Sequence, residues 1–317
     1  MGRMKKHLYF LSKDKKTRIH SVIYSMEGKT KPKAVIQLCH GMAEYIGRYD
    51  RFARHLEKQG FVVAGHDHLG HGQSVNDWGD YGYFSEEANR TLIKDMHQLR
   101  LNVSKRYPDI PYFMLGHSMG SYLLREYLAD YGEGLAGAII LGTGYSEPAM
   151  ASLGIMATKV MAAFYGWRHR SLLIQGLTYS PAYLSYSISG SNLKRNWLTK
   201  DLKAMKAFLN DPFCGFLFTL NGHRGLFQTV RASCLKENAK KIPKTLPMFL
   251  VSGKEDPVGN LGKGVEKAFK LYKDVGMKNV CIKLYPGDRH EILNELNRDE
   301  VEEDIIKWME NILSCGL

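Results

Sequence analysis

The residues Phe113-Met114-Leu115-Gly116-His117-Ser118-Met119-Gly120 begin as a short apolar run behind Pro111-Tyr112 and end in the pattern Gly-x-Ser-x-Gly. The stretch that follows, Ser121 to Leu128, reads as a helix, so the pattern occupies a strand, a sharp turn and a helix start. This is the setting of a nucleophile elbow. The turn is so tight that a Cβ at Gly116 or Gly120 would strike the neighbouring strand or helix. It lifts Ser118 Oγ out at the carboxyl end of its strand and aims the first helical N–H groups at the same point. Five letters recur by chance in unrelated chains, so the flanking sequence has to carry the rest.

On the N-terminal side, His7–Leu11 and Arg18–Tyr24 flank a charged turn at Ser12–Lys16 and read as an antiparallel hairpin at a sheet edge. Ala34–Cys39 and Phe61–His66 are apolar runs suited to strands covered on both faces. An amphipathic helix over residues 48–59 lies between them, and a long helix over 86–106 leads to the elbow strand. On the C-terminal side come a strand at Leu135–Gly142, a strand at Leu246–Gly253, a helix near 262–275, a strand at Val280–Tyr285 and a final helix near 299–313. Alternating strands and helices joined by short loops give a mostly parallel sheet with right-handed crossovers and helices on both faces. Functional groups then gather at the carboxyl ends of the strands.

The alternation stops between Ser146 and Leu235, a region rich in Met, Phe, Tyr and Trp, including Met156, Trp167, Tyr179, Trp197 and Phe227. Helical spacing explains several of these as ordinary core. As a set inserted between two core strands they read as a helical lid, which would wall the strand ends with flexible apolar groups. The expected division is therefore a core of residues 1–145 and 236–317 with a lid of residues 146–235.

The chain has 317 residues and 44% hydrophobic content, enough for one large α/β domain carrying an insertion. Met1–Tyr9 lacks the apolar segment of a secretory signal, and no apolar run reaches membrane-spanning length. Five scattered cysteines without metal-ligand spacing point to reduced thiols and a cytoplasmic protein. The net charge of +12 is concentrated in residues 1–33, with ten Lys/Arg against two acids, and in residues 146–235, with ten against three. No nucleic-acid module surrounds these cations, so they read as solvated surface, with a bias towards an anionic membrane as the alternative. The turn Asp67-His68-Leu69-Gly70-His71-Gly72-Gln73-Ser74 raises the question of a metal. Its histidines have no helical register and no acidic partner pattern, so it reads as a structural loop.

A serine hydroxyl needs an adjacent base and a group that orients that base. In Gly-x-Ser-x-Gly enzymes these follow in the order Ser, acid, His. After the strand ending at Gly253 comes Lys254-Glu255-Asp256-Pro257-Val258, and after the last strand comes Pro286-Gly287-Asp288-Arg289-His290-Glu291. His290 alone among twelve histidines stands in that last loop, so it is the expected base. Asp256 is the expected orienting acid, with Glu255 and Asp288 as lesser candidates. The oxyanion donors are expected to be the backbone N–H groups of Met119 and of Met42, in the turn His40-Gly41-Met42. His40 and Glu44 are expected to brace that turn. Substrate contacts are expected from Gly41, His117 and Val258 and from apolar groups near Tyr145, Met150, Phe164, Tyr183 and Phe213. No metal or cofactor is required.

These segments resemble the α/β-hydrolase fold and, within it, the monoacylglycerol lipase and lysophospholipase group of serine hydrolases. The matching pieces are His40-Gly41-Met42-Ala43-Glu44 with Arg48-Tyr49, Asp67 to Ser74, Gly116 to Gly120, Asp256-Pro257-Val258 and His290-Glu291. The resemblance runs in register over residues 34–310, with only the lid matching loosely. It implies hydrolysis of a carboxylester whose acid is a single long chain, through a Ser118–His290–Asp256 triad, with a lipid-like small molecule as the partner and no nucleic acid. Relatives with similar cores include small-ester and aryl (cinnamoyl-type) esterases, acyl-amide hydrolases such as iminopeptidases, and acyltransferases. An iminopeptidase holds its substrate's amine with lid acids, and here only Glu147, Asp201 and Asp211 are available. A non-catalytic receptor on this fold would have lost a triad member, whereas all three are present. Acyl length, head group, preferred acceptor and oligomeric state stay open at this level.

Overall fold

The computed structural model describes residues 3–26, 31–187 and 192–315. Eight strands form one sheet in the order β1-β2-β4-β3-β5-β6-β7-β8. The strands are β1 (Arg3–Leu11), β2 (Arg18–Met26), β3 (Val35–Cys39), β4 (Val62–His66), β5 (Tyr112–His117), β6 (Gly137–Leu141), β7 (Met248–Gly253) and β8 (Val280–Tyr285). The edge hairpin is antiparallel, and β2 joins β4 antiparallel; every pairing from β4 to β8 is parallel. The fully buried patterns of β3 to β7 follow from their unbroken apolar runs, since both faces are covered.

Helices α1 (Asp50–Lys58) and α10 (Arg298–Ser314) cover one face; α2 (Asn89–Arg106), α3 (Met119–Tyr131), α8 (Lys236–Lys241) and α9 (Lys263–Asp274) cover the other. On the first face Trp308 stacks on Phe249, with ring centroids 5.6 Å apart. Expected and observed elements coincide, with ends displaced by a few residues. β1 starts four residues earlier than expected, at Arg3, and α2 three residues later, at Asn89, after a turn in which Ser85 and Ala88 take positive φ.

Between β6 and β7 the chain adds no strand among its described residues. It runs through α4 (Pro148–Tyr165), α5 (Leu172–Gly176), α6 (Leu202–Asn210) and α7 (Leu220–Cys234), with short 3₁₀ turns between α5 and α6. Arg125 of α3 ties both roots of this insertion to the core. It is 1% exposed and donates to Thr143 Oγ1 (3.0 Å) and Gly144 O (2.7 Å) where the insertion begins, and to Ser233 O (2.9 Å) where it ends. Its Nε donates to Tyr272 Oη at 2.8 Å. Because neutral acceptors satisfy this buried cation, removing it leaves carbonyls unpaired and opens a void. Arg125→Ala is expected to lose about 3 kcal/mol or more of stability, measured by urea unfolding.

Candidate active site

β5 ends against α3 in the expected elbow. Ser118 stands between them at φ 52°, ψ −121°, a conformation that costs a non-glycine residue about 1–3 kcal/mol and is found where the fold over-determines it. The surrounding contacts explain why the strain persists. A Cβ on Gly120 would lie 2.2 Å from Cys39 O, and one on Gly116 2.3 Å from Gly120 O. Ser118 N–H is held by Leu141 O of β6 at 3.0 Å. Met119 is the first residue of α3, so its N–H is a free first-turn donor directed at the end of β5.

The turn after β3 meets the elbow. A Cβ on Gly41 would lie only 3.1 Å from Ser118 Cβ, so the Gly41-Met42 backbone borders the serine. Asp256 and His290 meet at the ends of β7 and β8. Asp256 is fully buried; its Oδ2 accepts from His290 Nδ1 at 2.9 Å and from Ser252 Oγ at 3.1 Å, and its Oδ1 accepts from Val258 N–H at 2.8 Å. Nδ1 is thus the ring nitrogen engaged by the carboxylate, and Nε2 is the one Asp256 leaves unengaged. The ring of His290 lies against Gly142 at the end of β6, one residue beyond the carbonyl that holds Ser118. Glu255 pairs instead with Lys200 at 3.2 Å. Asp288 is buried away from the histidine, and burial pushes its carboxyl up to about 6.

A buried charge cluster joins these loops. Glu44 Oε1 accepts from Gly41 N–H (2.5 Å) and Tyr49 Oη (2.9 Å), bracing the turn as expected. Arg48 bonds Glu44 Oε2 (2.6 Å) and forks onto both carboxylate oxygens of Glu291 at 2.7 Å. His117 has Nδ1 3.2 Å from Glu44 Oε1 and 2.9 Å from Tyr49 Oη, and its Nε2 faces His290 O at 3.4 Å. The cluster thus links the turn after β3, the elbow and the loop bearing His290. The i, i+4 spacing of Glu44 and Arg48 signalled part of it; the partnership with Glu291, 243 positions away from Arg48, had no local signal.

Of the other histidines, His40 and His71 hold the turns beside the site. His40 Nε2 accepts from His68 N–H at 2.9 Å, and His40 Nδ1 faces Gly41 O at 2.8 Å. His71 Nε2 accepts from Ala43 N–H at 3.3 Å. Burial pushes His66 and His71 down to about 3, so both stay neutral. Asp67 holds Ile46 N–H, Gln73 N–H and His20, tying this turn to the one that leads into α1. Among the described residues no group of three or more His, Cys, Asp or Glu has metal-holding geometry.

The expected substrate contacts divide. Tyr183 is buried and packs on Trp197, whose ring in turn lies 5.1 Å from that of His290. Phe213 packs on Tyr45 (5.5 Å) and Tyr81, and Tyr145 lies half-buried beneath Lys267. Val258 is half-buried beside Asp256. Met150 and Phe164 stand on the solvent side of α4, 61% and 81% exposed. Periodicity marks an apolar residue on a helix without saying whether its face meets protein or solvent. Trp197, one aromatic among many in the insertion, is the neighbour of His290 that sequence reasoning did not single out.

A family described as Serine aminopeptidase, S33, matches residues 30–297 of the chain. The chain belongs to that family. Among S33-like relatives, the mouse monoglyceride lipase is 27% identical over 290 residues, covering 90% of this chain and 85% of its own. A monoacylglycerol lipase of Mycolicibacterium smegmatis is 25% identical, with 88% and 89% covered. Among solved structures, a thermostable carboxyl esterase from Bacillus coagulans in complex with glycerol superposes with a TM-score of 0.88 at 33% identity, covering 98% of this chain and 99% of that one. This S33 chain therefore has the α/β-hydrolase fold that its sequence resembles.

The charge cluster makes stability depend on pH. Burial alone would push the His117 imidazole down, but the Glu44 carboxylate beside it raises the pKa above 6.5. Burial likewise opposes ionisation of Glu44 and Glu291, yet Arg48 holds both below the usual carboxylate value of 4.5. The carboxylates' contribution is present above about pH 4.5 and is lost as pH falls through their folded values. His117's contribution is complete below about pH 6.5 and is lost as pH rises through its folded value. The urea-midpoint difference between wild type and His117→Asn is therefore expected to be largest near pH 5–6.5 and to narrow by about pH 9. A difference independent of pH would show that His117 is neutral in the folded protein.

Proposed function

We propose that this carboxylic ester hydrolase cleaves lipid esters with a single acyl chain, of the monoacylglycerol or lysophospholipid type, through Ser118, His290 and Asp256. The observation that carries the reading is the Asp256–His290 bond at 2.9 Å, set at the strand ends beside a strained elbow serine. His290 Nε2 takes the proton of Ser118 as its Oγ attacks the ester carbonyl. The N–H groups of Met42 and Met119 receive the oxyanion. The alcohol leaves with the proton from His290, and water then cleaves the acyl-enzyme by the same route.

The substrate class rests on the relatives named as monoglyceride lipases and on the apolar insertion, which acts as a lid over residues 146–235. A peptide substrate with a free amine fits less well, because the acids of the insertion are engaged elsewhere. Glu147 lies near Lys267, Asp201 binds Arg298 and caps α6, and Asp211 accepts from Tyr45.

The lid also fits a lipid surface. Met150, Leu153, Met156, Val160 and Phe164 recur at helical spacing on α4, each more than half exposed, and Leu172, Leu173 and Leu184 continue the apolar surface. A cytoplasmic enzyme that acts at the membrane periphery accommodates this face, and among the described residues no helix is long and apolar enough to cross a bilayer.

Hydrolysis of p-nitrophenyl esters from C2 to C16 tests the reading. Ser118→Ala is expected to lose turnover by about 10³-fold or more, and wild type to favour chains of C8 or longer. An optimum at C2–C4 would favour the small-ester reading, and equal rates in the two proteins would remove the catalytic assignment. In vesicle flotation, Leu153→Asp with Leu173→Asp is expected to reduce binding while turnover of a soluble C2 ester is kept. Binding insensitive to these changes, to salt and to anionic lipid would exclude the surface contact.

A further inference from the structure

The middle of the insertion is bonded to both sides of each residue in the acid–base pair. Ser180 Oγ donates to Pro257 O at 3.2 Å and Tyr186 Oη to Glu255 O at 2.8 Å, on either side of Asp256. Arg289 donates to Asn196 O (2.5 Å) and Lys194 O (3.1 Å), and Glu291 N–H donates to Leu198 O (2.7 Å), on either side of His290. Glu295 closes the seam by accepting from Lys200 N–H and Arg289 N–H.

These bonds present Trp197 to the histidine. Its ring lies 5.1 Å from that of His290 at an interplanar angle of 38°, and the His117 ring lies 4.8 Å from His290 at 40°. Tyr183 backs Trp197 at 5.2 Å. The bond to Asp256 fixes one nitrogen of the imidazole but leaves the ring free to swing about that contact. Neighbouring rings remove this freedom, and a ring misplaced by about 1 Å can cost about 10²-fold in rate.

We propose that residues 180–187 and 192–200 are a brace for the Asp256–His290 pair, and that Trp197 is a positioning residue for His290. The brace makes turnover of every ester, including one too short to reach the rest of the insertion, depend on the insertion. This rests on the reading of His290 as the base.

The test is turnover of p-nitrophenyl acetate by Trp197→Ala, Trp197→Phe and Tyr186→Phe, with His290→Ala alongside. Trp197→Ala is expected to lower kcat by about 10- to 100-fold with KM little changed, and Trp197→Phe to restore most of the loss. The far-downfield proton resonance of the His290–Asp256 bond should broaden or vanish in Trp197→Ala and persist in Trp197→Phe. Unchanged kcat on the acetate, with only the KM of long-chain esters raised, would overturn the proposal and leave Trp197 as a wall of the acyl site. If Trp197→Ala does not fold, Tyr186→Phe carries the test, since it removes one hydroxyl and little volume. A kcat several-fold below wild type supports the brace, and an unchanged kcat overturns it. His290→Ala separates the two readings. Wild-type turnover in that variant would remove the base assignment itself, whereas an inactive His290→Ala beside a fully active Trp197→Ala would remove only the brace.

Discussion

The approach of Gly120 to the end of β3 governs the geometry of the site. With 2.2 Å between a Cβ there and Cys39 O, no other residue lets α3 begin so close to the neighbouring strand. That contact seats the first turn of α3 over the sheet, forces Ser118 into its positive-φ conformation and brings the Gly41-Met42 turn against the serine. The helix start, its free N–H groups and Ser118 converge because the backbone has nowhere else to go. The strain at Ser118 is small beside the burial of β3, β5 and β6, whose side chains are nearly all fully covered, so the fold carries it.

Charge plays a different part from packing. Glu44, Arg48, Glu291 and His117 are taken out of water, and the desolvation cost of such groups offsets most of their mutual attraction. A well-packed apolar cluster would hold the sheet about as firmly. What the charges add is direction. A guanidinium forked onto one carboxylate and bonded to another accepts few geometries, and those few set the turn after β3 relative to the loop of His290.

The Gly-x-Ser-x-Gly elbow, the strand-end positions of Asp256 and His290, and the succession of core strands along the chain were all legible in the sequence. Each is encoded locally, by period, by glycine placement or by the position of a residue after a strand. Longer-range partnerships were not. Asp256 was the preferred acid, with Glu255 and Asp288 as lesser candidates; that Glu255 meets Lys200 while Asp256 meets His290 is a contact between distant segments that only the fold shows. Periodicity grouped Met150 and Phe164 with Tyr183, although α4 exposes the first two and the insertion buries the third. Trp197 sits in a stretch with no regular period, held by backbone carbonyls that any sequence would supply.

The insertion meets the core in two ways. Residues 180–187 and 192–200 are held by polar bonds: Arg289 and the Glu291 N–H donate to backbone carbonyls of this segment, and its Lys200 N–H donates to Glu295. Each such bond adds about 0.5–1.5 kcal/mol net. The outer side of α4 and α5 shows apolar side chains to solvent, while the inner side of α4 packs on α7, where a Cβ on Gly154 would lie 2.8 Å from the Phe227 ring. On the proposed reading, the segment bonded around Asp256 and His290 serves the reacting ester, and the exposed apolar face of α4 serves the lipid surface from which the ester comes.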